Sequence, residues 1–229
     1  TGKPKGVVIE HRSIIISLQA NGAQLGAGEH TRILQFATPT FDISVAEIWG
    51  TLILGGAVLV PSEADRKTNL PEYIVAKQVN HAALTPTVAR LFTPDDVSCL
   101  RTLVLGGEAV LPADVKRWRS VPNLFNGFGP TECSVCCALH RIGENETAPA
   151  IGRLRGVPLW VVDPEDHERI MPMGAVGELV VEGWSVGRGY WGDNLSTQAA
   201  FLADPVWLTA GCKDNFPGRR GRIYKTGDL

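Results

Sequence analysis

The stretch TLVLGGEAV, residues 102–110, sets the fold class. Thr102–Leu105 is a short apolar run with no polar alternation, which reads as a strand buried on both faces. A Gly-Gly turn and a helical stretch follow it. His81–Leu84 repeats the pattern, passing through Thr85-Pro86 into a second helical stretch. Strands that alternate with helices up to about residue 140 predict a mostly parallel sheet covered by helices. Upstream, Val7–Glu10 reads as a strand, Ser13–Ala23 as a helix with Ile14, Ile15 and Leu18 on one face, and Ala57–Val60 as a strand. Ser44-Val45-Ala46-Glu47 fits the capping box that opens a helix, with Val45, Ile48, Trp49 and Leu52 at helical spacing and Gly55-Gly56 as its stop.

The pattern changes after about residue 150. Leu159–Val162 and Glu178–Val181 read as strands separated by Pro- and Gly-marked turns with little helix between. The expectation is an α/β part over 1–150 and a smaller, mainly β part over 151–229 shaped as a distorted barrel. Gly211–Gly221 is Gly- and charge-rich and reads as an exposed loop.

Bulk properties exclude several function classes. The 229 residues include 22 basic and 24 acidic side chains, a formal net charge of −2. So even a balance argues against a nucleic-acid or anionic-membrane surface. No apolar run nears the ~18 residues of a membrane span, and the first residues lack a signal-peptide core. Five cysteines without scaffold spacing predict reduced thiols and a cytoplasmic setting.

Two loops carry chemistry. TGKPKG, residues 1–6, pairs glycines that admit an anion to the backbone with the charges of Lys3 and Lys5. It lacks Walker spacing, and a solvated basic turn is the alternative. NGFGPTE, residues 126–132, sets groups complementary to one ligand side by side. Asn126 donates to and accepts from a base edge, Phe128 offers a ring to stack on, and Gly129-Pro130 turns the chain. Thr131 then brings a hydroxyl and Glu132 a carboxylate suited to Mg²⁺, a hard cation. The alternative is a surface turn with Thr131 as a helix cap. Cys133, Cys136, Cys137 and His140 loosely resemble zinc-ligand spacing, but buried apolar cysteines are the favoured reading. Trp49, Trp118 and Trp160 read as core or half-buried residues.

TGKPKG, FDIS, NGFGPTE, GELVVEG…GRGYW and YKTGDL occur in the order and approximate spacing of the adenylate-forming enzymes. Together they resemble the amino-acid adenylation domain of a nonribosomal peptide synthetase, over essentially the whole chain. The tract 159–183 is similar to those of filamentous-fungal synthetases. The resemblance implies activation of an amino acid by ATP as its adenylate. The acyl group then passes to phosphopantetheine on a carrier domain, with carrier and condensation domains in the same polypeptide.

Residue by residue, the resemblance implies that Thr1, Gly2, Lys3, Lys5 and Gly6 form the tail of the phosphate loop. It puts Gly106, Gly107 and Glu108 beside the adenine, Asn126 on its edge and Phe128 in place of the usual stacking tyrosine, ahead of Gly129. Thr131 contacts the α-phosphate, Glu132 holds Mg²⁺ and Asp228 takes the ribose hydroxyls. Asp42 pairs with the substrate ammonium, against the alternative of a helix cap. Ile43, Ala46, Ala83, Val104, Gly106, Gly127, Val135 and Cys136 match the side-chain pocket. None of them is charged, and four are Ala or Gly, so a neutral, bulky or aromatic amino acid is expected. These loops are expected to converge on one nucleotide. The resemblance also places the first half of the phosphate loop, and a C-terminal lid with its lysine, outside these residues, so the 229 residues alone are expected to be nearly inactive. The competing readings are an acyl- or aryl-CoA ligase, which has no use for Asp42, and a non-catalytic nucleotide-binding remnant.

Overall fold

The computed structural model describes residues 5–147, 149–153, 156–212 and 216–229. Along the chain come β1 (Val7–Val8), α1 (His11–Leu25), β2 (Arg32–Leu34), α2 (Ile43–Val45), β3 (Ala57–Leu59), α3 (Glu63–Thr68), α4 (Leu70–Ala76) and β4 (His81–Leu84). Next are α5 (Pro86–Ala89), β5 (Thr102–Gly106), α6 (Pro112–Trp118), β6 (Asn123–Phe128), β7 (Ala138–Arg141), β8 (Leu159–Val162), β9 (Glu178–Glu182) and β10 (Gly189–Tyr190). The chain ends with α7 (Asn194–Ala200), β11 (Phe201–Ala203), α8 (Val206–Ala210), β12 (Gly211–Cys212), β13 (Phe216–Pro217) and β14 (Arg222–Lys225).

Two compact units result, and neither is continuous in sequence. One holds residues 17–129, 138–147 and 149–153; the other holds 5–16, 130–137, 156–212 and 216–229. A single cut at residue 150 describes neither, because the segment 130–137 and the N-terminal residues pack with the later part of the chain.

The first unit is built on a six-stranded sheet of order β3-β2-β4-β5-β6-β7. All neighbours are parallel except β6 and β7, which pair antiparallel. Local chemistry starts its helices. Ser62 Oγ accepts from Asp65 N at 3.1 Å to cap α3, and Thr85 Oγ1 caps α5 ahead of Pro86. Asp114 in α6 accepts from Leu111 N at 2.9 Å, and its carboxylate takes both arms of Arg90 at 2.7 and 2.8 Å. The core joins Leu34, Leu103 and Leu105 of the strands to Ile74 and Trp118 of the helices. His81–Leu84 and Thr102–Gly106 are the strands expected, with one added residue at Gly106.

In the second unit a four-stranded antiparallel sheet runs β11-β14-β9-β8. Among the described residues it is open, with β11 and β8 as edges, so the expected distorted barrel is corrected to an open sheet. Val162, Val180 and Ile223 form its core, and Trp160 and Trp207 stack at 4.9 Å beside it. Buried Glu182 accepts both arms of Arg219, at 2.8 and 2.7 Å, and the Trp160 indole at 2.8 Å. Gly211–Gly221 is not wholly a loop, since β12 and β13 pair antiparallel within it; residues 213–215 lie outside the described residues. A third short ladder joins β1 to β10. Among the described residues no helix is long and apolar enough to cross a membrane.

Leu103 is fully buried in the first unit's core. Leu103→Ala in the full-length protein should therefore cost about 2–5 kcal/mol, read as a fall in the denaturant midpoint for this region.

Candidate functional site

In the first unit, Asp42 stands at the entrance of α2, which continues as a π-helical turn over Ala46–Gly50. Such turns recur at functional sites. The expected capping box is absent. Ser44 Oγ donates to Phe41 O at 2.7 Å, and Asp42 has helical backbone angles with no side-chain capping bond. Glu47 instead turns inward, 1% exposed, and accepts from Gln35 Nε2 at 3.1 Å and from Ala37 N at 3.1 Å. Gln35 Nε2 also donates to Ala37 O at 2.6 Å, and Arg66 to Phe36 O at 2.6 Å. The segment leading to Asp42 is thus pinned at consecutive residues.

These bonds decide which face of the helix is buried. Ser44, Glu47 and Thr51 face inward, while Trp49 is 59% and Leu52 49% exposed. Val45 and Ile48 are half-buried, and Trp49, read as core or half-buried, is exposed.

The sheet arranges the expected pocket residues by strand alternation. Ala83 pairs with Val104, Val104 with Phe125, and Gly106 with Gly127 across β4, β5 and β6. Leu84, Leu103, Leu105 and Leu124 point to the core, so Ala83, Val104, Gly106 and Gly127 share the opposite face. The two glycines have a local cause as well. A Cβ on Gly106 would meet Gly127 O at 2.7 Å, and one on Gly127 would meet Val104 Cγ1 at 2.9 Å. Strand contact therefore takes up space that the sequence reading gave to a substrate.

Beyond β5, Gly107 has a φ of +76°, where a side chain is strained. Glu108 accepts from Thr87 Oγ1 at 2.6 Å and Thr87 N at 3.1 Å. The Thr87 hydroxyl bond holds its carboxyl below the usual range. Asn126 Nδ2 donates to Ala150 O at 2.9 Å, and Phe128 is half-buried at the end of β6. His140 lies against Glu146 at 2.8 Å.

In the second unit, Thr131 and Glu132 open a 3-10 turn, Thr131–Cys133, whose N-cap position belongs to Pro130. Thr131 is exposed and Glu132 half-buried. Tyr190 Oη donates to Glu132 Oε1 at 2.6 Å, and Gly187 N donates to Glu132 O at 2.8 Å. Lys5 Nζ lies 4.9 Å from the centre of the Tyr190 ring, and Trp191 N donates to Gly6 O at 2.7 Å. Glu132, the Lys5 loop and Tyr190 therefore form one cluster. Thr1, Gly2 and Lys3 lie outside the described residues.

Ser134 and Val135 follow with φ of 60° and 78°. That region is costly for a β-branched residue, and such strain gathers at functional sites. Ser134 Oγ donates to Ser185 O at 2.7 Å. Residues 133–137 form no strand; Cys133 and Cys137 are fully buried and Cys136 half-buried. Burial first, then a hydrogen bond to Cys137, pushes the Cys133 thiol well up. At the C-terminal end, Gly227 has a φ of +77° and its N–H donates to Glu178 Oε1 at 3.0 Å. Leu179 N donates to Asp228 O at 2.9 Å, which fixes the backbone of an exposed Asp228.

A sequence profile described as AMP-binding enzyme matches residues 1–191. The chain belongs to the AMP-binding enzyme family. The AM-toxin synthetase AMT1 of Alternaria alternata is 60% identical over the whole chain, and the nonribosomal peptide synthetase TES of the same organism 49%. The chain spans 5% and 4% of the length of these two curated relatives. Among solved structures, it is similar to a four-domain nonribosomal peptide synthetase bound to AMP and glycine. The TM-score is 0.82 and the identity 30%, covering 99% of this chain and 17% of that one. The Vibrio cholerae adenylation domain AlmE, in complex with glycyl-adenosine-5'-phosphate, aligns with a TM-score of 0.81 at 26% identity, covering 99% and 43%.

Three residues near the candidate site residues were not singled out from the sequence: Tyr190, which donates to Glu132, Tyr224, whose ring packs on Phe201 beside Tyr190, and Glu47. Tyr190 and Tyr224 sat inside GRGYW and YKTGDL, where a phenol amid small or charged neighbours was the available signal. Glu47 was taken for a cap. Burial raises the Glu47 carboxyl from 4.5 to about 7. Between those values the folded protein holds a proton that the unfolded chain has released, so stability falls as pH rises through this window and is level above it. Glu47→Gln should remove that part of the fall, by about 1.4 kcal/mol for each pH unit of the window. Denaturant titrations of both proteins from pH 4.5 to 8 check it.

Proposed function

We propose that the chain is the nucleotide- and amino-acid-binding part of an enzyme that activates an amino acid with ATP as its aminoacyl adenylate. The acyl group then passes to a phosphopantetheine arm on a carrier domain in nonribosomal peptide synthesis. Asp42 is the observation that carries the amino-acid reading. It stands at the head of α2 without capping it, and the segment before it is pinned by Glu47 and Arg66. A carboxylate at the head of that helix suits an ammonium group, which a fatty or aryl acid lacks. The relatives, nonribosomal peptide synthetases among them, support the same reading.

The reaction requires a substrate carboxylate to attack the α-phosphorus of ATP, with pyrophosphate leaving. Both partners are anions, so charge neutralisation and positioning supply most of the rate. In this reading Lys3 and Lys5, with the backbone of Thr1, Gly2 and Gly6, bind phosphate, and Thr131 donates its hydroxyl to the α-phosphate. Asn126 reads the adenine edge and Phe128 stacks on its face. Gly106, Gly107, Glu108 and Gly129 line the base, and Asp228 accepts from the ribose hydroxyls. Mg²⁺ would supply charge neutralisation when bound, and Glu132 would hold it. The donor set fits that ion. Glu132 is a half-buried carboxylate beside the Lys5 loop, and Mg²⁺ typically takes one or two carboxylates with phosphate oxygens and waters.

Ile43, Ala46, Ala83, Val104, Gly106, Gly127, Val135 and Cys136 are assigned to the substrate side chain. Four of them share the sheet face opposite the core, and none bears a charge that would stabilise a buried ion. An uncharged lining suits a neutral amino acid, and a bulky one, with an aromatic foremost, is the proposed substrate. Amino-acid-dependent pyrophosphate exchange by the full-length protein should favour such substrates, and a preference for aspartate or lysine would overturn the pocket reading. Asp42→Ala should lower exchange by at least about 100-fold, the scale of losing a charge-assisted contact of ~3 kcal/mol, while ATP binding is kept. Undiminished exchange would favour a substrate without an ammonium group.

A further inference from the structure

Glu132 does not stand alone, and the residue that orients it comes from 58 positions further along the chain. The phenol of Tyr190 donates to Glu132 Oε1 at 2.6 Å, a short bond of the charge-assisted kind. Several restraints fix that phenol. Its backbone is paired with Val7 in the β1–β10 ladder, and Tyr190 N donates to Thr197 Oγ1 at 2.9 Å. The ring stands edge-on to Phe201 at 5.4 Å and 79°. The Phe201 ring is itself backed by Tyr224, at 4.9 Å between ring centres. On the ring face, Lys5 Nζ sits 4.9 Å from the centroid, within cation–π range.

Packing alone does not ask for this hydroxyl, since a phenylalanine would meet Phe201 equally well. The hydroxyl adds a bond to one oxygen of a carboxylate, which fixes its rotation. A carboxylate fixed in advance binds a cation with less loss of side-chain freedom, and partners that hydrogen-bond to metal-binding carboxylates tune metal affinity for that reason.

We propose that Tyr190 is a positioning residue that holds Glu132 through its phenol for Mg²⁺ binding and seats Lys5 of the phosphate loop on its ring. This rests on the reading of Glu132 as the Mg²⁺ ligand. The two parts of the side chain have separable effects. Tyr190→Phe keeps the ring and removes the phenol's bond to Glu132, whereas Tyr190→Leu removes the ring under Lys5 as well.

The test is calorimetric ATP binding by the full-length protein, titrated across Mg²⁺ concentrations and repeated in EDTA, beside thermal unfolding. For Tyr190→Phe the Mg²⁺ concentration giving half-maximal enhancement of ATP binding should rise about 10-fold, with ATP binding in EDTA and the unfolding midpoint unchanged. Tyr190→Leu should weaken ATP binding in EDTA as well, through Lys5. Combined with Glu132→Gln, Tyr190→Phe should add no further shift. A Tyr190→Phe protein with the parental Mg²⁺ midpoint overturns the proposal, as does an equal loss with and without Mg²⁺, which would mark a purely structural role. If Glu132→Gln leaves the Mg²⁺ dependence intact, the metal reading of Glu132 fails and this proposal falls with it. Failure of the amino-acid reading would show separately, in pyrophosphate exchange.

Discussion

The close approach of β5 and β6 is the constraint on which the first unit depends. Parallel strands buried on both faces have no solvent side on which to place polar groups, so each face must be solved by side-chain size. One face is filled by Leu103, Leu105 and Leu124 against helices that carry Ile74 and Trp118. The other carries Val104 and Phe125 beside Ala83, Gly106 and Gly127, and at Gly106 even one methyl would strike the neighbouring backbone. That second face carries four of the residues assigned to substrate.

A second constraint is electrostatic. Glu47 is a buried carboxylate whose donors come from the turn after β2. Leaving it unbonded would cost more than exposing Trp49, because an exposed apolar ring loses its transfer energy whereas a buried unpaired acid loses its solvation. The helix therefore turns its polar stripe inward. In the second unit Glu182 has the same part, gathering Arg219 and Trp160 at the end of β9.

What could be read from sequence follows from the range of the forces involved. The strands at 81–84, 102–105, 159–162 and 178–181 were legible because composition and flanking turns are local signals. The helix after Asp42 was legible as a helix but not in its start or its facing. Ser44 and Glu47 have capping-box spacing, yet Glu47 is satisfied by residues 10 and 12 positions earlier. The open second sheet depends on pairings such as β9 with β14, which nothing local encodes. Of the site, the ordered loops were visible because each packs its chemistry into a few residues. The Tyr190–Glu132 bond was invisible, since each partner looked complete within its own motif.

The excursion of residues 130–137 has a bearing on protein engineering. These residues leave the six-stranded sheet between β6 and β7 and belong with the other compact unit. A chimaera exchanging everything before residue 150 would transplant this insert away from the Tyr190 and Ser185 that hold it. Grafts of the sheet-bearing unit should keep native junctions on both sides of the insert as well as at the unit's own two ends, so that four crossover points, not one, delimit a transferable cassette.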